Sequence, residues 1–383
     1  MNASENKNGT AVRRFAFLLL YLLILVCLII IPTGFERTIY FNAEGSVAKV
    51  IAVDNSAIFN TGIYKQGEQR LRVQLLTGSN KRLEIDAVNM LNGSLESDKI
   101  FSVGDKAWVL VERDSNDNPI SVIAVDQFRC IRELVCIAIF VITLAVFANK
   151  NSISILISFL VAFLFSWKIL IPLTLKGYNP MVLSSFMLIS LTLITIPLVS
   201  GFNKRSLGAI GGALFSNFVV GILSIITTNF LLLDGYTLTG SESLLYSGYL
   251  NLDFKSIFTG VVLLSSGGAV MDLSVDVAAS MKEVFDHTSN IDKKELFYSG
   301  LRVGRAGLGT QITTLLLAYM SSYLTIFMVY MAQGTPVINI LTSKMIAAEI
   351  AQTLVGSMGL ICVTPLTALV CVLCFYNKRV MKR

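Results

Sequence analysis

Three acidic residues lie inside or beside long apolar runs in the C-terminal part of the chain. Asp272 follows a run that contains Gly267 and Gly268, Asp276 comes one turn later, and Glu349 opens a further run. A carboxylate costs about 2.5–3.5 kcal/mol at the centre of a bilayer helix, so such residues are candidates for ion or proton sites. We therefore predict a proton- or ion-coupling role for these acids. The alternative is that they mark helix ends exposed to water.

Two arginines near the next apolar run supply the opposite charge. Arg302 and Arg305 are one helical turn apart, and the small residues around them permit close approach of a second helix. An ion pair between one of these arginines and Asp272 would lower the cost of both charges in a membrane. The alternative is that both guanidinium groups extend to lipid phosphates.

Glycines recur at helix-packing spacings in and beside the same apolar runs. Small residues one turn apart let two helix backbones approach closely. The predicted packing positions are Gly208, Gly212, Gly267, Gly268, Gly300, Gly304, Gly356 and Gly359. Asn217 follows the first pair, and we assign it to the same packing role. These positions predict surfaces that face protein rather than lipid.

The residue types that most enzymes use are scarce. His287 is the only histidine, and the sequence contains no P-loop, nucleophile elbow or HExxH motif. Cys371 and Cys374 have CxxC spacing but lie in an apolar run with no strand nearby. We expect no enzyme activity, no metal and no cofactor. The net charge is +6, and the basic residues lie at the ends of apolar runs and do not cluster on a soluble face, which argues against nucleic-acid binding.

The apolar runs predict an α-helical polytopic membrane protein with about eight transmembrane helices. The chain is 54% apolar and 15% charged, well below the roughly 25% charge of soluble domains. Residues 15–34 form a predicted uncleaved anchor after a tail at 1–14. A seven-helix bundle is predicted over 129–376, with spans at 131–148, 153–175, 181–200, 207–231, 257–275, 308–331 and 350–375.

The distribution of lysine and arginine predicts the orientation. With the N-terminus inside, the cytoplasmic segments hold fifteen Lys and Arg residues, including the basic tail at 377–383. The short outside loops hold three, which are Lys176, Lys255 and Lys344. This asymmetry follows the positive-inside rule. It places both termini in the cytoplasm and the segment between the first two spans outside it.

That extracytoplasmic segment, 36–128, has the chemistry of a small all-β domain. Five Val- and Ile-rich strands are predicted at 45–54, 70–77, 82–89, 106–113 and 119–125, separated by polar or Gly-containing turns. Such a pattern is typical of an OB-like or SH3-like barrel. A docking module and a ligand-binding module are both open interpretations.

Three segments resemble the YibE/F family of multipass bacterial membrane proteins. They are Gly267-Gly268-Ala269-Val270-Met271-Asp272, Arg302-Val303-Gly304-Arg305, and the stretch from Glu349 through Gly359 to Ala368. The resemblance covers roughly the C-terminal 250 residues. It implies a bacterial plasma membrane protein of the longer, YibE-like type, with a shorter paralogous YibF-like subunit as partner. The chain has Ala348-Glu349 where two acids are expected, which weakens a paired-carboxylate role.

The family resemblance implies no established activity, so the functional hypotheses come from the residues. A weaker likeness links the Gly-rich helix with Asp272 and the Arg-led helix to the membrane bundles of SecD/SecF and RND transporters, which are proton-driven. We predict a proton- or ion-coupled transport function that uses Asp272, Arg305 and Glu349. The alternative is a non-transporting assembly or envelope factor whose β domain recruits a partner.

Overall fold

The computed structural model describes residues 19–35, 42–114, 118–148, 152–288 and 291–376. The chain divides into two compact units: Glu36–Asn149, and Met1–Phe35 together with Lys150–Arg383. The predicted tails at 1–14 and 377–383 lie outside the described residues, as does the beginning of the predicted anchor at 15–34.

The first unit contains a small β-barrel followed by an apolar helix. The strands are β1 (Ala43–Asp54), β2 (Ile58–Asn60), β3 (Lys65–Leu75), β4 (Glu84–Asn92), β5 (Lys106–Arg113) and β6 (Pro119–Gln127). The sequence predicted five of these strands. It missed β2, which is only three residues long and pairs with the beginning of β3. A strand of that length carries too few residues for an alternating pattern.

The sheet closes on itself because β1 pairs with both β3 and β5. The strand order is β1-β5-β6-β4-β3-β2, and β4 contacts β6 in parallel. Side chains alternate between the two faces of each strand, and the inward set includes the fully buried Val50, Val73 and Val109. A mostly helical chain with a small β-barrel-like domain near its N-terminal end is therefore confirmed.

A polar network secures the loop between β4 and β5. The Gln69 side-chain amide donates to Asn55 Oδ1 and to the Phe101 carbonyl, both at 2.9 Å. Gln69 Oε1 accepts from the Phe101 backbone amide and from the Asn89 side chain, each at 3.0 Å. Asn89 also donates to the Lys99 carbonyl. Both side chains are fully buried, so these bonds offset the cost of removing two amides from water.

The helices are numbered in chain order. They are α1 (Leu19–Ile30), α2 (Cys130–Ala148), α3 (Ser152–Leu175), α4 (Pro180–Ser200), α5 (Lys204–Phe230), α6 (Ser241–Tyr246), α7 (Phe254–His287), α8 (Lys293–Ser322), α9 (Leu324–Ala332), α10 (Val337–Thr342) and α11 (Lys344–Tyr376). Helix α2 belongs to the barrel unit, and the others belong to the second unit. A π-helical turn, Ser166–Leu170, interrupts α3.

Six described helices are long and apolar enough to cross a membrane, and the bent pair α8 and α9 makes a seventh if it forms one span. The predicted count of about eight compares with six or seven among the described residues. Helix α1 is too short to count, because within the described part of the predicted anchor it covers only Leu19–Ile30. A span needs about 20 apolar residues.

Two predicted spans have different bounds in the structure. Helix α7 extends twelve residues past the predicted end of 257–275, to His287. The predicted span 308–331 is two helices, because α8 ends at Ser322 and α9 continues at an angle of 60°. These bounds describe helices, and the predicted bounds describe apolar runs. A helix can continue past its apolar run, because a polar helical turn has no hydropathy signal.

Local sequence explains where several helices begin and end. Asn179 caps α4 by accepting from the Val182 backbone amide at 3.2 Å, and Pro180 provides a first residue that needs no hydrogen bond. Gly201 ends α4 at φ 75°, a left-handed conformation that glycine adopts without strain. Asp253 caps α7 by accepting from the Ser256 amide at 3.0 Å.

The centre of the helical unit is α11, which packs on α5, α7 and α8. Its buried positions include Val355, Leu360 and Val363. At the end of α11, Lys204 of α5 donates to the Phe375 carbonyl at 3.4 Å, which places a cation at a helix C-terminus. Helix α1 joins a separate cluster with α3 and α4. The interior of this unit is therefore made by the C-terminal helices.

Candidate functional site

Glu349 lies in the second turn of α11 and is the most deeply buried of the predicted site residues. Its exposed fraction is 7%. Within the described residues, neither carboxylate oxygen has a hydrogen-bond partner of normal geometry, although the Thr353 side chain lies close by, one turn later. A polar group removed from water without hydrogen bonds costs free energy, and a charged one costs far more. Stability alone does not account for an acid at this position.

Phenolic hydroxyls lie near this acid. Tyr319 and Tyr323, at the end of α8, are close enough to interact electrostatically with Glu349. The Tyr319 hydroxyl is buried and points at α11 beside Gly356, where an added Cβ would lie 3.6 Å from the phenolic oxygen. The missing side chain at Gly356 thus leaves room for the phenol. A tyrosine hydroxyl both donates and accepts, so it can pass a proton.

A second polar contact continues from this region to α7. The Gln352 amide, one turn after Glu349, donates to Ser265 Oγ at 3.2 Å. Ser265 also lies near the Tyr319 hydroxyl. Three helices therefore contribute polar groups to one region: α8, α11 and α7. We call Glu349, Tyr319, Gln352 and Ser265 the acid cluster.

The predicted acids of α7 are placed differently. Asp272 and Asp276 are exposed, whereas Leu273, Ser274 and Val277 are buried. The two acids share a helix face, as their spacing predicted, but that face points away from the interior of the unit. Among the described residues, no ion pair within 4 Å involves either acid.

The structure does not contain the predicted pair between Asp272 and an arginine. Arg302 and Arg305 are exposed near the beginning of α8, beside a cavity of about 640 Å³ whose other lining residues include Asp292 and Glu295. The helices are antiparallel, because Gly300 faces Met281 and Gly307 faces Leu273. That register sets Arg305 nearer in height to Asp276 than to Asp272, which explains why the predicted pair does not form.

An exposed ion pair holds the beginning of α11. Lys344 Nζ lies 2.6 Å from Asp234 Oδ2 in the loop after α5. The hydrogen bond from Lys344 lowers the pKa of Asp234. Exposed pairs of this kind add little stability. The pair fixes the helix end from which Glu349 projects.

Six of the predicted packing glycines lie in close helix contacts. An added Cβ would come within 2.6 Å of a neighbouring side chain at each of Gly208, Gly212, Gly267, Gly300, Gly304 and Gly359. At Gly212 the obstacle includes the Thr367 backbone, 2.6 Å away at Cα. Helices α5 and α11 therefore approach each other along a seam that only glycine permits.

Two other glycines depart from the packing prediction. Gly268 is exposed, and an added Cβ there would meet nothing within 4 Å. It lies one turn before Asp272 on the outward face of α7. Gly356 makes room for Tyr319 and Ser266 at ordinary contact distances instead of a tight helix crossing. The spacing rule identified small residues but not which side of the helix each one faces.

Buried hydroxyls join the helices at positions that sequence reasoning missed. Ser216 Oγ donates to the Gly359 carbonyl at 2.8 Å, and Ser224 Oγ donates to the Thr259 carbonyl at 3.1 Å. Single serines in apolar runs give no periodic signal. Tyr319 was missed for a similar reason, because a single aromatic residue within the predicted span 308–331 is expected to contribute apolar packing.

The remaining candidates for chemistry do not form a site. Cys371 is buried and Cys374 is half-buried, and both are free thiols. His287 is exposed at the end of α7. In the described part of the chain, no group of three His, Cys, Asp or Glu residues is arranged to hold a metal ion. The acid cluster is therefore the candidate functional site.

The fold and this interior define a polytopic membrane protein with a small β-barrel-like domain. Residues 136–377, more than half of the chain, match the family described as YibE/F-like protein. The chain belongs to the YibE/F-like protein family, as the resemblance of its three segments predicted. No curated protein and no solved structure matches it. Any function therefore has to be argued from the site itself.

Proposed function

We propose that this protein couples the movement of protons or small cations to transport across the membrane, with Glu349 as the coupling acid. The observation that supports this is the burial of Glu349 without a hydrogen bond of normal geometry to either carboxylate oxygen among the described residues. A carboxylate in such a place is tolerated when protonated or when a cation neutralises it. Binding of a proton or cation lowers the free-energy cost of the buried Glu349 carboxylate, and its release raises that cost again.

The acid cluster supplies the first steps of a route, and the acids of α7 supply the last. Protons pass from Glu349 to the Tyr319 hydroxyl and on to the Ser265 hydroxyl, which the Gln352 amide positions by its hydrogen bond. Asp272 lies seven residues beyond Ser265, about 10 Å further along the helix. In this proposal Asp272 is the inner acid and Asp276 lies near the interface. Arg302 or Arg305 provides the positive field that favours their ionised form.

The proposal is tested by proton entry into vesicles. The full chain is reconstituted with a pH-sensitive dye inside, and a potassium diffusion potential drives protons inward. Glu349→Gln keeps the shape of the side chain but cannot ionise, so we expect protein-dependent acidification to be abolished. Asp272→Asn should lose it too, because that variant interrupts the same route further along.

Glu283→Gln is the matched control. Glu283 is on α7 as well, but it is exposed beyond the predicted membrane segment. We expect it to acidify vesicles at the unaltered rate. A rate that is the same in the unaltered chain, the Glu349→Gln variant and empty vesicles rules out proton movement. Repeating the assay with a sodium-sensitive dye then tests cation movement.

The setting that we propose is the bacterial plasma membrane. Fifteen Lys and Arg residues in the cytoplasmic segments against three in the short outside loops support cytoplasmic termini and an extracytoplasmic barrel. The strand order around the closed sheet, β1-β3-β4-β6-β5, supports an OB-type barrel. The partner that we propose is a shorter paralogous YibF-like subunit, because an exposed charge such as Asp272 within a predicted span needs protein or water against it.

A second candidate function is that of an assembly factor, and an apolar patch on the barrel favours it. Phe59, Ile63 and Leu95 are each at least three-quarters exposed. The Tyr64 ring, next to Ile63, contacts Gly93, two residues before Leu95, so the β2–β3 turn lies beside the end of β4. Exposed apolar clusters mark protein-binding surfaces. In this alternative the barrel recruits the partner and the buried charges only fix helix register.

A paired substitution separates the two candidates. Phe59→Ser combined with Ile63→Ser removes apolar area from the patch without altering the buried barrel core. If the barrel recruits the shorter subunit, we expect copurification of that subunit to fall at least tenfold while the charge variants retain it. Ile120→Ser is the control, because Ile120 is also exposed but lies on β6. Equal copurification by all variants excludes recruitment through this patch.

A further inference from the structure

A cavity of about 630 Å³ opens between α4, α5 and α7, away from the acid cluster. Its lining is almost entirely apolar and includes Ile189, Phe215, Phe218 and Ile222, all of which are exposed. The volume lies within the range of roughly 300–1,000 Å³ that is usual for small-molecule sites. In a membrane this cavity opens toward lipid.

One buried polar side chain lies in this apolar cavity. Asn217 lines it, is 7% exposed, and has no hydrogen-bond partner for either its amide nitrogen or its carbonyl oxygen within the described residues. The other polar side chain in the lining, the Ser185 hydroxyl, donates to its own helix at the Met181 carbonyl, 2.9 Å away. Asn217 therefore retains both a free donor and a free acceptor at the cavity wall.

The depth of Asn217 in the membrane limits which groups can hydrogen-bond to its side chain. Asn217 is thirteen residues from each end of α5, so it lies about 20 Å from both helix ends and near the centre of the span. The hydrocarbon core is about 30 Å thick, which keeps phospholipid head groups roughly 15 Å away from that level. Water is also disfavoured, because a buried water needs two to four polar partners.

We propose that this cavity binds a membrane-soluble ligand that has an apolar body and a single hydroxyl head, which both donates and accepts. The head pairs with the Asn217 amide, and the body lies against Phe215, Phe218 and Ile222. This occupant satisfies the buried amide and fills the apolar volume at once. The proposal is independent of cation coupling, because none of the lining residues belongs to the acid cluster.

The test uses photolabelling of the full chain in phospholipid nanodiscs. The probes are hexadecanol with a mid-chain diazirine and hexadecane with the same group. Peptide mapping by mass spectrometry locates the labels. We expect hexadecanol to label α4 and α5 around the cavity about tenfold more than hexadecane does, because one buried hydrogen bond is worth about 1–1.5 kcal/mol. Asn217→Leu should reduce hexadecanol labelling to the hexadecane level.

Two further variants make the result interpretable. Asn229→Leu is the matched control on the same helix, because Asn229 is exposed and its amide donates to the Ile225 carbonyl. It should label like the unaltered chain. Ile222→Trp fills the cavity and should reduce labelling by both probes. Equal labelling by the two probes, labels spread over all lipid-facing helices, or Asn217→Leu without effect would each overturn the proposal.

Discussion

Gly212→Ala is expected to lower the free energy of unfolding of the helical unit by about 2 kcal/mol or more, the range of overpacked cores. The new methyl group would lie 2.0 Å from Thr367 Oγ1 and 2.6 Å from its Cα. Rotating the threonine side chain cannot relieve contact with its backbone. Helices α5 and α11 must therefore separate, and that cost exceeds the gain of roughly 1 kcal/mol that alanine brings to a helix interior.

The measurement is unfolding of the full chain in mixed micelles by added denaturing detergent. Gly268→Ala is the control, because a Cβ at that position meets nothing within 4 Å and only the helix-propensity term remains. It should leave stability unchanged or slightly raised. Equal effects of the two substitutions would mean that the α5–α11 seam is not closed as described.

The effect at Gly212 should also reach neighbouring contacts. Gly208 faces Cys371 and Gly359 faces Val220 along the same two helices. The Ser216 bond to the Gly359 carbonyl crosses the same seam. A separation of the helices at one point strains all of these contacts, because packed interiors adjust only in part. Stability of the unit therefore depends on a row of close approaches and not on one glycine.

The sequence predicted the membrane class, the barrel and the family because each has a strong local signal. Long apolar runs, alternating Val and Ile, and the Gly-Gly-Ala-Val-Met-Asp segment at 267–272 are all readable from neighbouring residues. The rotation of each helix is not local information. In the sequence, Asp272 and Glu349 are both acids in apolar runs. In the structure, Asp272 is exposed, whereas Glu349 is buried with an exposed fraction of 7%.

The same limit applies to the acid cluster and to Asn217. Tyr319 joins Glu349 only because α8 crosses α11 beside Gly356, and no spacing within one helix reveals that crossing. Asn217 follows a glycine pair, so packing was the natural interpretation. Its unpaired amide and the adjacent cavity depend on how α4 and α7 flank α5. Contacts between distant segments carry the chemistry here, and they require the folded chain.

Glu349→Leu should raise the stability of the helical unit while it abolishes proton or cation movement. Leucine has a similar volume and needs no hydrogen bond, so the substitution removes the cost of a buried acid that has no partner in the described residues. We expect a gain of about 1–3 kcal/mol, the range for relieving an unsatisfied buried polar group. Both quantities are measured on one preparation, by detergent unfolding and by vesicle acidification.

Opposite changes in stability and flux would identify Glu349 as a residue kept for function at a cost to the fold. Glu283→Leu is the control, because its exposed carboxylate has no burial cost to relieve and neither quantity should change. If Glu349→Leu instead lowers stability, the carboxylate has a stabilising partner in the membrane, such as a bound cation. Repeating the unfolding of the unaltered chain over a sodium series then decides the matter, because a cation bound only by the folded state raises stability with its concentration.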